Sequence, residues 1–189
     1  MNIVNVGYDS TNYYVLAESS PRLLIDVGWP GTLPRLQHTC KRMGIQLTDI
    51  SHFLVTHYHP DHAGLAQELK NVGSKLIVIE NQISAIPTLR TYMKPHNHYV
   101  ELDPADNVIL KIADSRAFLA QLRIHGEIIS TPGHSEDSIT LILDEGAAFT
   151  GDLQSPLMAN DTALESWEKI RAFGVKTVYP GHGPAGNLD

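Results

Sequence analysis

The 189-residue chain is 42 % hydrophobic and 19 % charged, the make-up of one globular domain over residues 1–189 with a sizeable core. Its formal charge of −7 disfavours a nucleic-acid partner, which needs a basic stripe; the expected partner is a small-molecule substrate. No apolar run approaches the roughly 20 residues of a membrane span. The first nine residues lack the basic and apolar regions of a signal peptide, and the single Cys40 excludes an intrachain disulfide. A cytoplasmic location with no membrane partner is therefore expected, while the oligomeric state is left open.

In chain order, residues 2–6, 13–16 and 23–25 read as an antiparallel start, with a turn near Ser19-Ser20-Pro21. A helical pattern over 33–43 stops at Gly44 and carries Cys40 as a small core residue. The apolar run 53–56 ends at His57, and a helix over 61–71 stops at Gly73 with Leu65 and Leu69 on one face. Residues 114–122 read as a helix capped by Asp114. The run 128–131 leads through Pro132-Gly133 to His134. Residues 138–143 and 147–150 form a hairpin across Asp144-Glu145-Gly146, after which Gly151 leads to Asp152. A helix over 162–173 has Thr162 and Glu165 as a capping box and Gly174 as its stop. The run 177–179 then leads through Pro180-Gly181 to His182. Strands alternating with helices, with hairpins among them, predict a layered α/β domain with mixed sheets.

The densest chemistry is His57-Tyr58-His59-Pro60-Asp61-His62. Imidazole nitrogens and carboxylate oxygens hold zinc-type cations at roughly 2.0–2.2 Å. Left buried without such a cation, each of these groups would cost roughly 1–3 kcal/mol. His57 and His59, two apart on extended backbone, point the same way and can share one ion. Asp61 and His62 start the next helix, turned toward a second point. His134, Asp152 and His182 are the candidates for the remaining ligands, since each follows a strand through a Gly-containing turn. Asp26 likewise ends the run 23–25. Two cations about 3.5–4 Å apart can acidify a bridging water and clamp an oxyanion, and Asp61 is placed to shuttle the nucleophile's proton.

The set Thr56-His57-x-His59-x-Asp61-His62, Thr131-Pro132-Gly133-His134, Gly151-Asp152 and Pro180-Gly181-His182 resembles the metallo-β-lactamase superfamily, most closely its glyoxalase-II-like hydrolases. The resemblance runs from Asp26 to Gly183. It implies an α/β (α+β) fold, a four-layer αβ/βα sandwich of two mixed sheets flanked by helices. It also implies that His57, His59 and His134 hold one metal, that Asp61, His62 and His182 hold a second, and that Asp152 bridges them. Asp26 matches a family residue that supports the site from behind. Asp152 stands where exported lactamases of the commonest type carry Cys, and with seven residues after His182 a helical extension for a glutathione thioester is not expected. Ser155 replaces the Tyr that lactonases often place three residues after the bridging Asp.

The expected activity is that of a binuclear-metal-dependent hydrolase cleaving a small ester, thioester or lactone through a metal-bridging hydroxide. Two divalent ions are expected, zinc first, with iron or manganese compatible with the same donors. The alternatives are a small-molecule phosphodiesterase, an iron-dependent persulfide dioxygenase using His57, His134 and Asp152, or a catalytically silent metal-binding module. Tyr92, Lys94, His98 and Ser155 are candidate substrate-binding residues by location. Glu136 and Asp137, after His134, are candidates to narrow access.

Overall fold

The computed structural model describes residues 1–16 and 21–188, so Ser19 and Ser20 of the expected turn lie outside the described residues. Three short strands, β1 (Ile3–Asn5), β2 (Tyr14–Leu16) and β3 (Arg22–Ile25), pair antiparallel. The sheet then continues in parallel through β4 (Ile50–Leu54), β5 (Lys75–Ile79) and β6 (Val108–Leu110), six strands in sequential order. Each parallel step needs a crossover. Helix α1 (Leu33–Arg42) makes the first, α2 (Pro60–Ala63) and α3 (Ala66–Asn71) the second, and a segment containing α4 (Ile86–Leu89) the third. Helix α5 (Ser115–Gln121) leads into the second sheet. That sheet comprises β7 (Gly126–Ser130), β8 (Ile139–Leu143), β9 (Ala147–Gly151), β10 (Thr177–Pro180) and β11 (Gly186–Asn187), with α6 (Asp161–Ala172) between β9 and β10. Its order is β11-β10-β9-β8-β7, and only β9 and β10 pair in parallel.

Alternation along the strands builds the layers. Leu23, Ile25, Ile77 and Ile79 meet Leu141, Leu143 and Phe149 in the core between the sheets. Their neighbours Leu24, Leu76 and Val78 face outward onto Leu36 and Cys40 of α1 and Leu69 of α3. On the far side, Ile142 and Ala148 meet Ala163, Trp167 and Ile170 of α6. Three apolar interfaces make four layers, the expected sandwich. Strands covered on both faces read as continuous apolar runs, and β8 is buried at every position. A one-residue slip of β8 would exchange Leu141 and Leu143 for Ile142 and reverse both faces at once, so the register is held strongly. No helix among the described residues is long and apolar enough to cross a membrane.

Several boundaries differ from expectation. The helix over 61–71 is two helices, because Leu65 donates its backbone N–H to Gly28 O (2.8 Å) rather than back along the helix. A Cβ on Gly64 would strike Pro30, so the break is tied to the loop after β3. Strands β5, β6 and β11 are additions to the expected set. Helix α6 begins at Asp161, and its cap is Asn160, whose side chain accepts the Ala163 N–H at 2.8 Å, in place of the expected Thr162–Glu165 box.

Candidate metal centre

Strand directions bring the chemistry to one edge. β7 and β9 both run antiparallel to β8, and β10 runs parallel to β9, so all three point the same way. Just beyond their C-terminal ends stand His134, Asp152 and His182. From the first sheet, the parallel pair β3 and β4 ends at Asp26 and at the segment leading into His57. The crevice beyond the carboxyl ends of strands is where open α/β sheets place their sites.

The expected groups meet there. His59 Nδ1 lies 3.0 Å from His57 Nε2 and 2.9 Å from His134 Nε2. His182 Nε2 lies 3.1 Å from Asp61 Oδ2, which is 3.4 Å from His62 Nε2. Asp152 faces both sets: Oδ1 is 3.2 Å from His62 Nε2, while Oδ2 is 3.4 Å from His182, 3.6 Å from His134 and 3.9 Å from His57. A tetrahedral ion with 2.0–2.1 Å bonds sets its donors about 3.3–3.4 Å apart, and these separations bracket that value. Within each of the sets His57-His59-His134, His57-His62-Asp152 and Asp61-His62-His182, the donor atoms all lie within 4.8 Å of one another.

Hydrogen bonds behind the rings decide which nitrogen faces the centre. His62 Nδ1 is 2.9 Å from Asp26 Oδ2, and an acceptor there places the imidazole proton on Nδ1. The Thr56 hydroxyl donates to Asp26 at 3.0–3.1 Å and accepts from His57 Nδ1 at 3.1 Å. Ser10 O accepts from His182 Nδ1 at 2.6 Å. All three rings thus turn an Nε2 lone pair inward. His62 Nε2 and Asp152 Oδ1 are buried and lack a hydrogen-bond partner among the described residues. Two orphaned acceptors aimed at one spot are what a missing cation leaves behind, so the donor set fits a divalent metal.

Charge follows the same pattern. Burial, reinforced by the neighbouring imidazoles His62, His59, His134 and His182, pushes His57 well below the ordinary imidazole value and keeps it neutral. Burial disfavours a charge on His62, but Asp26, Asp152 and Asp61 around it outweigh that and raise it well above the ordinary value, so without a cation a proton occupies the inward Nε2 position that a divalent metal would take over. Asp61 and Asp152 are held below the usual carboxylate range because the contact with His62 overcomes their burial. His134 is lowered by burial first.

The frame behind these groups adds Thr11 and Gln82, which the sequence did not single out, and gives Thr56, Asp137 and Gly181 roles it did not assign. Thr56 N–H donates to Asp26 Oδ1 (2.7 Å), and Thr11 Oγ1 donates to Asp61 Oδ2 (3.1 Å). Gln82, fully buried, donates to Val55 O at 3.0 Å and Asp137 O at 3.3 Å. Asp137 is buried and accepts the Tyr58 N–H at 2.7 Å, so it positions the backbone between His57 and His59 and does not narrow access. Gly181 is required by close approach. A Cβ there would lie 2.5 Å from Asp152 Oδ1 and 2.6 Å from His62 Cε1. Common polar residues and glycines give no local signal for such roles.

Of the expected substrate residues, Tyr92 packs its ring 5.2 Å from His59 at the mouth of the centre. Ser155 lines a hollow beside His182. Among the described residues, no hydrogen bond, ion pair or ring contact joins Lys94 or His98 to the cluster. Both flank the short turn Pro95–Asn97.

The profile of the metallo-beta-lactamase superfamily matches residues 6–182. A beta-lactamase-like protein 2 homolog from Drosophila melanogaster is 28 % identical over 181 residues, covering 92 % of this chain and 58 % of the relative. An atrochrysone carboxyl ACP thioesterase from Aspergillus fumigatus is 30 % identical over 186 residues, covering 92 % and 50 %. The chain therefore spans about half the length of the curated relatives it matches. A metallo-beta-lactamase family protein from Thermus thermophilus has the same fold, with a TM-score of 0.73 at 18 % identity over 97 % of this chain and 73 % of that one. Layer order, strand-end chemistry and the family profile agree: the chain belongs to the metallo-beta-lactamase superfamily.

Proposed function

We propose that the protein is a two-metal hydrolase of small carbonyl esters, with thioesters ahead of oxygen esters and lactones. The carrying observation is the pairing of two donor sets across Asp152, His57-His59-His134 on one side and Asp61-His62-His182 on the other. In this reading those residues hold two divalent cations, zinc first, and Asp152 contributes to both. When bound, such a pair supplies Lewis acidity and a water acidified toward neutral pH. The thioesterase named among the relatives supports the substrate class. A single-iron dioxygenase reading would leave Asp61, His62 and His182 without a task, although they converge as closely as the other set.

The chain's own residues do the remaining work. His57 and His62 are fully buried, whereas His182, His134 and Asp61 keep an exposed side, so substrate enters over the latter. Asp61, ionised at neutral pH and fixed by Thr11, is in the form that accepts the nucleophile's proton. Tyr92 forms one wall beside His59. The test is chelation followed by reconstitution, with thiol, oxygen and lactone esters beside bis-nitrophenyl phosphate. Activity on a carbonyl ester should vanish with chelator and return with zinc or manganese. Activity untouched by complete metal removal would refute the reading.

A further inference from the structure

Thr150 is 2 % exposed, yet its Oγ1 has no hydrogen-bond partner among the described residues. On β9 it shares a face with Ala148, the face that packs toward α6. It lines a hollow of about 310 Å³ between α6 and the outer face of the second sheet, walled by Leu153, Trp167, Val178 and Leu188 and reaching His182. That volume lies within the range of small-ligand sites, which are mostly apolar with a few placed polar groups. The hollow shares Leu153, Pro180 and His182 with the opening over His134 and Asp152, so it continues directly from the metal centre. Next to the rim residues Ser155 and Pro156, Leu157 and Met158 are 98 % and 82 % exposed, an apolar pair on the loop that follows Asp152.

We infer that this hollow binds the apolar acyl portion of the substrate, an aliphatic or aromatic chain. Its orientation, carbonyl toward His182 and chain toward Trp167, rests on the hydrolase reading above. Its existence as a binding site does not.

The chain has two tryptophans, so Trp29→Phe leaves Trp167, in the wall of the hollow, as the sole reporter. Titrating this variant with straight-chain carboxylates from acetate to decanoate should shift Trp167 emission saturably. Affinity should rise roughly 3- to 4-fold per added methylene until the hollow is full. Ser155→Phe, on the exposed rim, should flatten that gradient while leaving Trp167 the sole reporter. Emission unmoved by every chain length, or a gradient surviving Ser155→Phe, would overturn the site. Saturable binding without turnover of any ester would defeat the hydrolase reading and leave the hollow standing. Turnover with no dependence on chain length would do the reverse.

Discussion

Asp26→Asn is the sharpest probe of the centre, because it changes one atom in a fully determined hydrogen-bond frame. The Asp26 side-chain oxygens receive Thr56 N–H at 2.7 Å, the Thr56 hydroxyl at 3.0–3.1 Å and His62 Nδ1 at 2.9 Å. An asparagine must keep its oxygen on the Thr56 N–H, since the opposite flip would set two donors against each other. Its NH2 then faces His62 Nδ1, which becomes an acceptor, and the ring proton moves to Nε2. That nitrogen is the one 3.2 Å from Asp152 and 3.4 Å from Asp61, so the inward lone pair is lost. Residue 26 has φ of +60°, a conformation that asparagine adopts readily, so the variant should fold. Loss of such an orienting partner typically costs 10- to 100-fold in metal affinity, about 1.4–2.7 kcal/mol. Competition with a chromogenic chelator should resolve two zinc-binding steps in the native protein. In the variant one step should weaken by that factor, while the step assigned to His57, His59 and His134 stays within a few-fold. Both steps unchanged in a protein with native circular dichroism would refute the tautomer argument.

Further outcomes follow from the same geometry. Gly181→Ala should reduce bound zinc from two ions to at most one by metal analysis, because its methyl would sit 2.5 Å from Asp152 Oδ1 and 2.6 Å from His62 Cε1; two retained ions would contradict this. Cys40 is fully buried, and burial pushes its thiol up to about 11, so the native protein should resist alkylation at pH 8. Mass spectrometry should find one adduct only after unfolding, and rapid native labelling would be the contrary result. Asn160→Ala removes the α6 cap and should cost about 1 kcal/mol, lowering the melting temperature by roughly 2–4 °C, whereas Thr162→Ala should leave it nearly unchanged; the opposite ranking would restore the Thr162 cap.

The candidate centre is more legible in the sequence than the sheets around it. His57, His59, Asp61, His62, His134, Asp152 and His182 are rare residue types at the ends of apolar runs, so each announces itself. Strand β5 ends at Ile79 and is followed by Glu80, whose carboxylate joins none of the donor sets, and β6 is only Val108–Leu110, so neither is marked by the centre. The break at Gly64 depends on Pro30 and Gly28, over thirty residues away, and no local pattern encodes that contact. Asp137 reads as an exposed acid beside His134, yet its partner is a backbone N–H 79 positions earlier. Thr56 and Gln82 are similar cases, polar residues whose work exists only once the chain has folded.

The donors of the centre are divided between the sheets. His57, His59, Asp61 and His62 belong to the half that ends with β6, while His134, Asp152 and His182 belong to the half that begins with α5. Neither half holds a complete coordination shell, and each cation would take two side chains from one half and the rest from the other. The pair of ions would therefore act as a clasp across the open seam of the sandwich. Cleavage between β6 and α5 would yield fragments that reassemble more firmly with zinc than without it, making the folded junction itself a reporter of metal supply.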